Sequence, residues 1–302
     1  MDARSLVFVS SDNKQLRAPW RILIFVLVWV AVALFAAVLV QGLQGTPAFA
    51  GLGSALYYWV DFVAVLAATF VSLRWVDGLD WKFVRLGRPS AQPSVLTSGF
   101  LMGALAIGVP CVVLLLVGKL RITPAAHGNW IVSALEMALF LLPAAAAEEL
   151  LMRGYIFSVL RESIGWKNTL IATSIVFGLL HLRNPGANPE TITVVIIAGF
   201  FLGTILLVTE SLYAAWMAHF AWNLTLAAGL HTSVSGIVST VPNYRVVPSG
   251  PAWLTGGSWG PEGGVAAALG MFVFLFYLHG RYRGQLANGP TVSEPQGDTK
   301  NG

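Results

Sequence analysis

From Ile22 to Val40 the chain carries no charged residue over 19 positions, and apolar runs of similar length recur along most of the sequence. A hydrocarbon core about 30 Å thick takes roughly 20 helical residues, so each such run can cross a bilayer. In lipid, backbone polar groups must be satisfied internally, which an α-helix does within one segment. Only 11% of the 302 residues are charged and 56% are apolar, against about 25% charged in a soluble domain. The expected fold is all-α, a polytopic membrane helical bundle of about eight transmembrane helices.

The first run, Trp20 to Val40, exceeds the roughly 7–15 residues of a signal-peptide core. It therefore reads as a retained span, although Ala48-Phe49-Ala50 imitates a cleavage site. The second span is expected at Leu52 to Leu73, with Asp61 inside it. The connection that follows, Arg74 to Pro93, alternates Trp81, Phe83, Val84 and Leu86 with Lys82, Arg85 and Arg88, a pattern that suits the membrane surface. The third span, Val95 to Val117, is expected to kink or break near Pro110. The fourth covers Met137 to Leu160, with Pro143 as a break and Trp130 to Glu136 at the outer interface. Asn168 to Leu182, Thr191 to Val208, Leu212 to His231 and Val265 to Leu278 complete the set. Gly99 with Gly103, and Gly199 with Gly203, have the GxxxG spacing that admits a close helix neighbour.

The chain thus divides into 1–129 (three spans with their surface connection), 130–231 (four spans), 232–283 (a loop and the last span) and a disordered tail, 284–302. Fourteen of the 18 lysines and arginines fall on one side of this topology. By the positive-inside rule that side is cytoplasmic and holds both termini, as in a bacterial plasma-membrane protein. No basic face stands clear of the spans, which argues against nucleic acid as a partner. The single cysteine, Cys111, lies in a span and has no disulfide partner.

The polar residues inside the spans carry the functional signal, because intramembrane charges mark sites by default. Glu149 and Arg153 stand at i,i+4, the spacing of an ion pair, and Glu148 points about 100° away from Glu149. Phe177 and His181 share a face of the fifth span, as His219 and Asn223 do of the seventh. Along straight helices at 1.5 Å per residue, Glu148, His181, His219 and Asn223 lie roughly 21, 20, 11 and 17 Å from the cytoplasmic helix ends. Three helices thus bring polar groups close to one level. A carboxylate in a dry pocket suits a general base acting on water. An imidazole and an amide can donate to a developing oxyanion. No serine or cysteine keeps them company, which favours direct attack by water over an acyl-enzyme. Two histidines and a carboxylate also form a zinc ligand set, leaving the cofactor as none or a divalent metal held by Glu148, His181 and His219. Asp61 and Glu136 read as structural charges. His127, His231 and His279 fall at span boundaries and receive no role.

Glu148-Glu149-xxx-Arg153, Phe177-xxx-His181 and His219-xxx-Asn223, in this order on three membrane segments, resemble the motifs of the CAAX protease and bacteriocin-processing (CPBP, or Abi) family, which includes the type II CAAX prenyl endopeptidases. The resemblance covers about residues 130–231. It implies an intramembrane endopeptidase of the glutamic or metallo type, with Glu148 activating water beside His181 and with His219 and Asn223 stabilising the oxyanion. Glu149, Arg153 and Phe177 become accessory or structural. The implied partners are the lipid bilayer and a membrane-associated peptide or protein substrate, cleaved near the cytoplasmic side. The alternative is a non-catalytic immunity or scaffold protein that keeps the same pocket for binding.

Overall fold

In the computed structural model, residues 15–44, 55–238 and 242–287 are described. Arg4, Lys14, the Ala48-Phe49-Ala50 stretch and the tail beyond 287 lie outside them. Eight helices of more than ten residues organise these residues: α1 (Ala18–Gln44), α2 (Ala55–Val71), α3 (Pro93–Leu116), α4 (Trp130–Glu149), α5 (Tyr155–Leu180), α6 (Pro189–Thr209), α7 (Leu212–Leu224) and α8 (Val265–Ala287). The chain is nearly all-α. A small antiparallel ribbon joins β1 (Leu120–Pro124) to β2 (Tyr244–Pro248), with Ile122 opposite Val246. Two five-residue strands in polar connections leave no alternation long enough to read in advance.

Among the described residues five helical stretches are long and apolar enough to cross a membrane: Ala18–Leu43, Leu56–Asp77, Pro93–Leu116, Trp130–Arg183 and Pro189–Thr209. Val265–Arg281 is apolar but shorter. Length and hydropathy thus mark fewer stretches than the eight expected spans, for physical reasons. The fourth and fifth spans form one 54-residue stretch, interrupted at Gly165, whose φ of 76° is a left-handed value that suits glycine. Helix α7 has only 13 residues before a π-helical turn, Thr225–Gly229. α1 faces almost wholly outward: Leu34, Phe35 and Val38 are 64%, 67% and 66% exposed, as befits a lipid-facing surface.

Neither proline breaks its helix as expected. Pro143 lies inside α4, which starts earlier than the expected span, where Asn129 caps it by accepting from the Ile131 and Val132 amides. Trp130 to Glu136 are accordingly its first turns. Pro110 lies inside α3. It removes the usual donor to the Ala106 carbonyl, and α8 packs Gly270 against that carbonyl. Packed neighbours can satisfy groups freed by proline in membrane helices. α8 also continues to Ala287, past the expected start of the tail.

Both GxxxG pairs make the close approaches their spacing predicts. A Cβ at Gly99 or Gly103 would fall on the backbone of Ala214 or Ala218 in α7. One at Gly199 or Gly203 would meet Ser174 or Leu170 in α5. The 74–93 connection is more deeply engaged than a surface strap: Val84 is fully buried, and the Phe83 carbonyl accepts from Ser158 Oγ at 3.0 Å. It also covers the start of α7, where Leu212 N donates to Arg85 O and Ser211 Oγ to Ser90 O. Nearby, Arg21 joins α1 to Asp77 at 2.8 Å and to Glu162 at 2.9 Å, while Tyr155 donates to Asp77 at 2.7 Å.

Candidate active site

Glu148 stands 17 residues before Gly165 and His181 stands 16 after it. Two arms of nearly equal length, about 25 Å each as helix, bring these side chains to one level. His181 Nε2 lies 3.9 Å from Glu148 Oε2. His219 Nε2 lies 3.9 Å from the same oxygen. The lower height reckoned for His219 assumed that α7 begins at the bundle surface. Its first residues instead lie under the 74–93 connection, with Ser211 and Leu212 buried.

Both histidines are fixed through their other nitrogen. His181 Nδ1 is 2.8 Å from the Phe177 carbonyl. A carbonyl only accepts, so Nδ1 carries the proton and Nε2 faces Glu148. His219 Nδ1 lies 2.9 Å from Glu149 Oε1, and Arg153 Nη1 donates to that same oxygen at 3.1 Å. Arg153 Nη2 donates to the Gly199 carbonyl, exposed where Gly199 allows α5 and α6 to meet. Glu149 and Arg153 are fully buried. The turn between them, Leu150–Gly154, is π-helical, a local widening often found at functional sites. The i,i+4 ion pair is therefore present, and it extends to His219.

Phe177 separates the buried cation from the imidazoles. The Arg153 guanidinium lies 4.2 Å from its ring centre, and the His181 and His219 rings lie 4.9 and 6.0 Å away, centre to centre. Glu148 has a half-exposed side chain, yet its Oε2 is buried and makes no hydrogen bond within the protein. Asn223 joins His181 and His219 in lining a cavity of about 40 Å³. At about 10–15 Å³ for one water, that holds about three or four.

The walls of this cavity include Ser235 and Glu262 from the connection between α7 and α8. Neither was singled out in the sequence. Glu262 is the only charged residue between Arg245 and Arg281, a signal hidden by the loop's glycines and prolines. Asp61 and Glu136 are exposed on α2 and α4. His231 is buried, bonded to the Tyr244 carbonyl and stacked on the Tyr244 ring. His127 and His279 lie outside the cluster.

The ligand set considered for a metal is Glu148, His181 and His219. Bonds of 2.0–2.1 Å in a tetrahedral site bring two ligand atoms to about 3.4 Å, closer than the two 3.9 Å separations here. Among the described residues no group of three histidine, cysteine or acidic side chains is gathered to hold an ion. The set does not fit a metal in this arrangement.

Residues 129–225, about a third of the chain, match the family model described as type II CAAX prenyl endopeptidase Rce1-like. Over these residues the chain is similar to the CAAX-protease family. The matched Rce1-like segment begins at the cap of α4 and ends just after Asn223, enclosing all seven motif residues. No curated protein and no solved structure matches the chain.

Proposed function

We propose that the chain is an intramembrane endopeptidase that hydrolyses a peptide bond with water activated by Glu148. The observation that carries this reading is the convergence of two imidazole Nε2 atoms, each 3.9 Å away, on one carboxylate oxygen without a protein hydrogen bond. In the proposed mechanism Glu148 takes a proton as water attacks the substrate carbonyl. His181, its Nδ1 proton committed to Phe177, accepts the second water hydrogen at Nε2 and orients the attack. The tetrahedral oxyanion receives donors from Asn223 Nδ2 and from His219 Nε2. Donation there while Nδ1 also donates requires the imidazolium, whose charge the Glu149 carboxylate faces. Glu148 then returns its proton to the departing amine nitrogen as the C–N bond breaks. Arg153 balances Glu149 and is a positioning residue. The test is turnover of a peptide substrate by purified protein bearing Glu148→Gln or His181→Ala, with folding followed in parallel.

A further inference from the structure

Glu262 lies beyond the Rce1-like segment but lines the same cavity as His181, His219 and Asn223. It is only 8% exposed. Trp222 Nε1 donates to its Oε2 at 2.7 Å, and the Ser235 amide and hydroxyl both donate to its Oε1. All three donor groups are uncharged, so they fix the carboxylate without cancelling its charge. Among the described residues Glu262 has no ion-pair partner within 4 Å. An uncompensated buried charge is costly and favours a cation beside it.

The segment carrying this charge is built into the site. Asn184, three residues after His181, donates to the Ser235 carbonyl at 3.2 Å. Gly236 packs so tightly on Pro185 that a Cβ would strike the Pro185 carbonyl. Trp222 precedes Asn223 on α7. The remaining walls are apolar, among them Val194, Val195 and Leu202. A substrate group in this cavity therefore meets hydrocarbon walls and a fixed carboxylate.

We propose that Glu262 makes this cavity a specificity subsite for a short positively charged substrate group, an aliphatic ammonium or basic side chain, and sets it against a free carboxylate. The inference rests on the endopeptidase reading, and it gives that reading a substrate class: internal peptide bonds near a basic residue. A hydrocarbon wall contacts the methylenes, while Glu262 supplies the countercharge. A substrate carboxylate placed there meets repulsion within a poorly hydrated space.

The test has two arms on full-length protein in detergent. The first measures thermal stabilisation by n-butylammonium and by n-butanol, which share a hydrocarbon chain and differ in charge. Wild type should bind the ammonium at least about tenfold more tightly, and Glu262→Gln should lose the difference. The second arm measures cleavage of peptides carrying lysine, norleucine or glutamate at each position around the cleaved bond. At one position lysine should exceed norleucine by about tenfold in kcat/KM, with glutamate poorest, and Glu262→Gln should remove this order. Equal binding of butylammonium and butanol by wild type overturns the subsite, even where Glu262→Gln fails to fold. Retention of the ammonium preference by folded Glu262→Gln also overturns it. Ammonium selectivity without cleavage of any peptide upholds the charged cavity and overturns the endopeptidase reading; cleavage without a lysine preference overturns the subsite alone.

Discussion

His219 Nδ1 lies 2.9 Å from Glu149 Oε1, so the second of the adjacent glutamates reaches the site through an imidazole while the first faces that ring's other nitrogen. Glu149 consequently has two tasks, balancing Arg153 and fixing His219. The tasks separate by mutation. Glu149→Leu alone strands a buried guanidinium and should destabilise the protein by about 3–5 kcal/mol. Glu149→Leu with Arg153→Met should recover most of that stability while leaving kcat at least about 10²-fold below wild type. Thermal unfolding in detergent and steady-state kinetics check the two halves.

The close approach of α3 to α7 sets the position of His219. Gly103→Ala drives a methyl group into the Ala218 carbonyl, one residue before His219. It should cost about 1–3 kcal/mol and lower turnover. Gly108→Ala is the control, because its Cβ meets only Thr225 Cγ2 at an ordinary 3.6 Å. A lower unfolding temperature for Gly103→Ala and a nearly unchanged one for Gly108→Ala are expected.

Gly165 sets the two arms that bring Glu148 level with His181. At φ 76° a side chain is strained, and Gly165→Ala should cost about 1–2 kcal/mol. Because the residue lies far from the cluster in sequence, loss of turnover beyond the loss of folded protein would reflect changed register between the arms. Folded fraction and kcat measured on the same preparation distinguish these effects.

Charge within apolar spans, together with spacing, pointed to the polar residues of the cluster. A four-residue interval places Phe177 with His181, and His219 with Asn223, on shared helix faces whatever else the chain does. GxxxG spacing likewise indicated close helix contacts, since a missing Cβ has a local geometric effect. Glu262 and Ser235 were not legible because they reach the cavity through a long, irregular connection, where no period reports orientation. Pro143 misled for a related reason: its lost amide weakens a helix locally, but packing decides whether the helix continues. The π-helical turn at Leu150–Gly154 left no mark on an apolar pattern that suits an α-helix equally well.

The ligand separations also make the metal question measurable. Protein dialysed against a chelator should retain turnover and hold well under one equivalent of zinc. Activity lost on chelation and restored by Zn²⁺ would require Glu148, His181 and His219 to close to ligand distances.

The most direct measurement is peptide hydrolysis by purified wild type and Glu148→Gln in the same lipid vesicles, with unfolding curves showing both folded. Glutamine keeps the shape of the side chain and removes its capacity as a base. A loss of at least about 100-fold in kcat is expected for a general base. Turnover by folded Glu148→Gln close to that of wild type would contradict water activation by Glu148.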